Sequence, residues 1–79
     1  MTGQYLIQLV EDYCRETGRN ISEVYDELGI NYQDTYGPNI VKEMRDNKQH
    51  DIVKYLENKG LGFIDRYVKL LNKIIKLNK

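Results

Sequence analysis

The 79-residue chain contains neither alanine nor tryptophan, and only one cysteine, one histidine, one proline and one phenylalanine. A single cysteine cannot form an internal disulfide, so nothing in the sequence indicates an oxidising compartment. One histidine and one cysteine also fall short of the ligand cluster that a zinc-type metal site requires. We therefore expect a cytoplasmic protein with no disulfide, no metal and no cofactor.

Long apolar runs are also missing. No segment approaches the ~20 consecutive apolar residues that a membrane-spanning helix needs. The first fourteen residues, MTGQYLIQLVEDYC, have no basic region, and acids interrupt their apolar positions, so they do not look like a signal peptide. Charged residues make up 30% of the chain and hydrophobic residues 41%, which is typical of a folded domain. We expect one domain, residues 1–79, without a membrane span.

Four residue types are abundant instead. Lysine, asparagine, isoleucine and tyrosine each occur seven or eight times, and all four have AT-rich codons. This usage indicates an AT-rich genome, such as that of a low-GC bacterium or of its phages and plasmids. Tyrosine joins an apolar ring to a hydrogen-bonding hydroxyl and is enriched at binding surfaces. Seven tyrosines are many for so short a chain, and each either belongs to a binding surface or replaces phenylalanine in a core that has only one phenylalanine available.

Charge is divided between the two parts of the chain. Residues 1–34 contain seven acids and two bases, a net charge of −5, whereas residues 35–79 contain ten bases and five acids, a net charge of +5. Four bases recur at helical spacing near the C-terminus: Arg66, Lys69, Lys73 and Lys76. Such a basic face is either simply solvated or contacts a nucleic-acid backbone, an anionic membrane surface or the acidic half of a second copy. Among the functional alternatives, the last fits the charge division best.

Apolar spacing predicts an all-α fold, a small bundle of four to five helices with a long amphipathic helix at the C-terminus. Stop signals at Gly18, Gly29, Gly37-Pro38 and Gly60 separate the helices. The predicted helices are at about 4–17, 21–28, 38–47, 51–59 and 62–78. The polar run RDNKQHD at residues 45–51 favours two helices over one between residues 38 and 59, although neither glycine nor proline enforces the break.

The same spacing predicts the core. Ten residues are expected at its centre: Leu6, Val10, Val24, Leu28, Val41, Ile52, Leu56, Ile64, Val68 and Leu71. Cys14 shares a face with Val10, so it is expected to be a buried hydrophobe, whereas His50 lies in a polar run and is expected at the surface.

Residues 21–29, ISEVYDELG, look like the first helix and turn of a helix-turn-helix. The second helix of that motif would be interrupted by Gly37-Pro38, and Tyr25 is large where the two helices would cross. The segment also belongs to the acidic half, whereas DNA binding depends on neutralising phosphates. A DNA-binding transcriptional regulator is therefore the alternative interpretation, in which a helix beginning at Pro38 presents three bases: Lys42, Arg45 and Lys48.

The segment NYQDTYG, residues 31–37, shows no apolar periodicity and is predicted to be a loop. Loops carry recognition more often than helix interiors do, and tyrosine is a common hot-spot residue. We expect this loop to bind a partner protein through Tyr32, Asp34 and Tyr36; the alternative is that either tyrosine ring folds back over the core.

The last helix also predicts self-association. Nine of the fifteen residues from Phe63 to Leu77 are apolar, which is more than four short helices would cover. We expect a twofold homodimer that buries Leu70, Ile74 and Leu77.

No pairing of a nucleophile with a base and no phosphate-binding glycine loop occurs in the sequence, so we interpret the protein as non-enzymatic. The sequence favours a small interaction protein that binds another macromolecule. Its size and codon usage suggest a regulator or inhibitor of the kind found in phages and plasmids.

Overall fold

The computed structural model describes residues 2–77, which form five α-helices and no strand. The helices are α1 (Gly3–Thr17), α2 (Ile21–Tyr36), α3 (Ile40–Asp46), α4 (Ile52–Lys59) and α5 (Leu61–Leu77). The predicted all-α bundle with a long C-terminal helix is confirmed. Helix α5 packs against α1, α2 and α4, whereas α3 packs against α2 and α4.

Polar side chains cap the first four helices. The side-chain oxygen of each cap accepts a hydrogen bond from a backbone N–H two or three residues further on, which satisfies a donor left unpaired at the helix start. The caps are Thr2, Asn20, Asn39 and Asp51. Each such cap stabilises its helix by about 1 kcal/mol. Helix α1 ends at Gly18, whose φ of 75° lies in the left-handed region that favours glycine.

Helix α2 is longer than the sequence suggests. The predicted end at Gly29 and the predicted loop at residues 31–37 are both wrong, because α2 continues to Tyr36. The apolar series from Val24 and Leu28 continues with Tyr32, four residues further on. Gly29 lies inside the helix because α3 packs against it: a Cβ atom there would be 2.7 Å from Cγ2 of Val41.

Residues 38–59 form two helices. Helix α3 ends at Asp46 and α4 begins at Ile52, so the break expected in the polar run is confirmed. The connecting turn includes Lys48, a non-glycine residue with a φ of 58°. The prediction that the third helix begins at Pro38 is wrong. Asn39 caps that helix, and α3 begins at Ile40.

All five helices contribute to one buried cluster of apolar and aromatic side chains. Each of the ten residues predicted at its centre is buried. Cys14 is buried as well, and burial raises the pKa of its thiol, while His50 is exposed; both predictions are confirmed. Tyr32 and Tyr67, which the predicted core omits, are fully buried between α2 and α5.

Candidate interaction surfaces

A groove of about 750 Å³ opens among α1, α2, α3 and the start of α4. Apolar and aromatic side chains form its floor: Ile7, Ile21, Tyr25, Val41, Met44, Ile52 and Val53. Polar and charged side chains complete its lining: Glu11, Asn20, Ser22, Asp26, Arg45, His50 and Asp51. Its volume and its mostly apolar lining are typical of sites that bind small molecules or protein segments.

The most accessible apolar side chain of the groove is that of Ile21, at the start of α2. Asn20 caps α2, so Ile21 is the first residue of the helix and remains 46% exposed. Tyr25 follows one turn later and is half-buried. Ile30 is similarly exposed, at 55%, but it lies nine residues from Ile21 and so about 180° around the helix. Helix α2 therefore presents Ile21 to the groove and Ile30 to the opposite side.

The rim of the groove is negatively charged. Three carboxylates belong to the lining, and one of them, Asp26, accepts a hydrogen bond from Arg45 at 2.8 Å. Burial, together with the negative charges of Asp51 and Glu11, raises the pKa of Tyr25 to about 12. These two carboxylates therefore act electrostatically on the floor as well as on the rim.

A second surface is built on an aromatic cluster where α2 meets α5, formed by Tyr32, Tyr36, Phe63 and Tyr67. The ring centroid of Tyr32 is 4.6 Å from that of Tyr36, 6.4 Å from that of Phe63 and 5.4 Å from that of Tyr67. Tyr32 is fully buried, whereas Tyr36 remains 42% exposed. The cluster therefore has a buried centre and an accessible edge.

Arg66 lies across the accessible edge of this cluster. One guanidinium N–H donates to the Tyr32 hydroxyl at 2.9 Å. The central guanidinium carbon is 5.1 Å from the Tyr36 ring centroid and 5.2 Å from that of Phe63, within the range of cation–π contacts. The hydrogen bond to Tyr32 raises the pKa of Arg66, which therefore stays charged.

The basic face of α5, defined by Arg66, Lys69, Lys73 and Lys76, continues from this edge and is exposed to solvent. Within residues 2–77, no carboxylate oxygen lies within 4.0 Å of the three lysine amines. Four other bases do have such a partner: Arg15, Arg19, Arg45 and Lys59. The positive charge of this face is thus retained in the fold.

The three residues expected to bind a partner are on α2 rather than on a loop. The Tyr32 side chain is fully buried, so its predicted role as a surface anchor is wrong. Asp34 and Tyr36 are exposed. Of these two exposed residues, only Tyr36 belongs to the aromatic cluster, since Asp34 lies about 160° away from Tyr36 around the helix.

The three residues expected at a dimer interface differ in how far they are buried. Leu70 and Ile74 are buried in the core of the same chain, so they are not free to pack against a second copy. Leu77 is 77% exposed. The apolar surplus that motivated the dimer is therefore largely used within the monomer, and the homodimer itself stays a prediction.

The seven bases expected to contact nucleic acid or an acidic partner form two groups. Arg66, Lys69, Lys73 and Lys76 share α5. Lys42 and Arg45 lie on α3 and Lys48 on the following turn, and α3 does not pack extensively on α5. Arg45 is paired with Asp26 at the groove. The structure therefore assembles one continuous basic face rather than a single surface of seven bases.

Sequence reasoning missed the groove. Its lining comes from four helices and two connecting segments, so no local pattern reveals it. One signal was available: Ile21 follows directly on a helix cap, in a first turn that is usually polar. An apolar residue at such a position is often exposed at the bundle surface.

Comparison with known proteins finds no matching protein family and no significantly similar curated protein or solved structure. In the described part of the chain, no helix is long and apolar enough to cross a membrane. The same residues contain no group of three or more histidine, cysteine, aspartate or glutamate side chains placed to hold a metal ion.

Proposed function

We propose that this protein is a non-enzymatic, cytoplasmic interaction protein that binds a basic amphipathic helix of another protein in its groove. The observation that carries the proposal is the combination of an apolar floor, an accessible Ile21 and a negatively charged rim in one concavity. An apolar segment entering the groove would remove Ile21 and the accessible parts of Ile7 and Tyr25 from water, and burial of apolar surface is the main favourable contribution to most protein association.

A helical ligand fits this surface better than an extended one. An extended peptide gains most of its affinity from main-chain hydrogen bonds to a sheet edge, and residues 2–77 contain no strand. An amphipathic helix needs only an apolar groove for residues at positions i, i+3 or i+4, and i+7. Basic residues beside that stripe would meet Glu11 and Asp51 on the rim.

The proposed role is regulatory. A protein can act without catalysis by occupying a surface that its partner needs, as inhibitors do, and the abundance of residues with AT-rich codons suggests a phage or plasmid setting. The helix-turn-helix alternative has less support. Its turn glycine, Gly29, lies inside α2, and that helix contains no lysine or arginine with which to contact phosphates.

Selection of ligands from a random peptide library displayed on phage tests the proposal without knowledge of the natural partner. We expect the enriched peptides to be basic and to repeat apolar residues at helical spacing. Synthetic versions should bind the wild-type protein, and Ile21→Lys should weaken that binding by more than about tenfold, because it places a long charged side chain on the floor.

Ile30→Lys is the matched control, because it makes the same change on the same helix at a similar exposure but on the opposite side. It should leave peptide binding unchanged. Enrichment of acidic or non-helical peptides, or equal losses in the two variants, would contradict the proposal.

A further inference from the structure

The basic face of α5 is built as a continuous track. Its four bases span eleven residues, or about 15 Å along the helix axis, and lie within about 80° of one another around it. The one carboxylate of α5 in the described chain, Asp65, lies about 100° from Arg66 but only about 40° from Lys69 around the helix, so it borders one side of the face. A chain of regularly spaced negative charges could follow the four bases on the side away from Asp65.

An aromatic edge lies at the start of this track. Arg66 is held over Tyr36 and Phe63 and is hydrogen-bonded to Tyr32, so its guanidinium is ordered before any ligand arrives. Tyr36 remains 42% exposed beside it. An exposed ring next to an ordered cation is the arrangement on which unpaired bases stack.

We propose that this face binds single-stranded nucleic acid, with Lys69, Lys73 and Lys76 contacting phosphates and Tyr36 stacking on a base. Stacking requires an unpaired base, which a duplex does not offer. The site is separate from the groove, and the inference does not depend on the function proposed for the groove.

Two other anionic partners fit this face less well. A helix that binds a membrane surface inserts its apolar side into the lipid, but the apolar side of α5 is buried against α1, α2 and α4. The acidic half of a second copy would have to offer carboxylates, and three of these already pair within their own chain: Asp12, Asp26 and Glu27.

Fluorescence anisotropy with a labelled oligothymidine of about 15 nucleotides measures this binding directly. Three or four phosphate contacts predict that affinity falls about 20- to 50-fold between about 50 and about 200 mM salt. A duplex of the same length should bind more weakly than the single strand. Vesicles of anionic lipid should not compete for the oligonucleotide.

Charge reversal identifies the surface. Lys69→Glu combined with Lys73→Glu should lower affinity by at least about tenfold and reduce the salt dependence, because two phosphate contacts are lost. Arg15→Glu combined with Lys54→Glu is the control, since it gives the same change in net charge at exposed bases outside α5. That control should bind nearly as well as the wild-type protein.

Tyr36→Ala should reduce affinity by at least about fivefold through loss of stacking, while Tyr36→Phe should retain binding. Circular dichroism of each variant checks that the bundle is intact. The proposal is overturned if the oligonucleotide does not bind, if the duplex binds as tightly, if the two double charge reversals weaken binding equally, or if lipid vesicles compete.

Discussion

The groove and the basic face of α5 differ in which groups they leave available to a partner. In the groove, Ile21 stays exposed while a carboxylate of the rim, that of Asp26, is neutralised by Arg45. On α5, the apolar side is buried and the lysines are left without carboxylate partners within residues 2–77. A protein of zero net charge can therefore carry two surfaces of different character, because folding neutralises some of its charges and not others.

The largest effect is expected beneath the basic face, from Tyr32→Ala. This substitution empties the centre of the aromatic cluster and removes the acceptor for Arg66, so we expect a loss of about 3–5 kcal/mol in the free energy of unfolding. Urea denaturation followed by circular dichroism gives the value. Tyr5→Ala, at a residue that is 48% exposed, is the control and should change stability by less than about 0.5 kcal/mol. A similarly small loss of unfolding free energy for Tyr32→Ala would show that the Tyr32 side chain lies at the surface, as the sequence analysis predicted.

Beneath the groove, Gly29→Ala should destabilise the protein by about 1–3 kcal/mol. The new methyl group would meet Val41, a residue of the groove floor, at 2.7 Å, so α2 and α3 would have to separate. Gly62→Ala is a matched control in α5, because no atom of the described chain outside its own stretch of helix lies within 4 Å of its added Cβ, and it should be neutral or stabilising. Equal stability of the two variants by thermal or urea unfolding would show that α2 and α3 are not in close contact.

Alkaline pH should lower the free energy of unfolding, because it ionises Tyr25 in the groove and Tyr67 in the aromatic cluster. Burial raises the pKa of Tyr25 from 10 to about 12 and also raises that of Tyr67. A pKa raised in the folded state contributes stability that is complete below pH 10 and is lost as pH rises toward 12, at up to about 1.4 kcal/mol per pH unit for each group. Unfolding measured at intervals across this window should show the decline, and Tyr25→Phe should make it shallower. Constant stability up to pH 12 would mean that neither hydroxyl is buried as described.

Two substitutions within the aromatic cluster compare a tyrosine hydroxyl that is hydrogen-bonded with one that has no such partner within residues 2–77. The Tyr32 hydroxyl accepts a hydrogen bond from Arg66, whereas the buried Tyr67 hydroxyl has no hydrogen-bond partner among residues 2–77. Tyr32→Phe should therefore cost about 0.5–1.5 kcal/mol, and Tyr67→Phe should be neutral or stabilising. The difference between the two unfolding free energies is the measured quantity. If Tyr67→Phe were the more damaging of the two, its hydroxyl would have to be hydrogen-bonded in solution.

The parts of the fold that follow from local patterns could be predicted from the sequence. Helices α1, α4 and α5 repeat apolar residues at helical spacing, and a glycine follows α1 and α4, so the predicted extents of the three helices were close to those observed. The end of α2 could not be predicted in this way. Gly29 lies inside the helix because Val41 packs against it, and Val41 is distant in the sequence and adjacent only in the fold.

The candidate surfaces were less predictable than the helices. The basic stripe on α5 follows from spacing alone and was recognised. Its aromatic edge depends on contacts between α2 and α5, and the groove depends on four helices at once. Tyr32 shows why the binding residues were misplaced: tyrosine suits both a binding surface and a core, and only the continuation of the series from Val24 and Leu28 distinguishes these two roles.

Whether the two surfaces are separate sites for different ligands is tested most directly by amide chemical shifts of the ¹⁵N-labelled protein. A basic amphipathic helical peptide should shift the amides of Ile21 and Tyr25, and oligothymidine should shift those of Lys69 and Lys73. Saturation with one ligand should leave the response to the other unchanged. If both ligands shifted the same amides, or if either displaced the other, the description of two independent surfaces would be wrong.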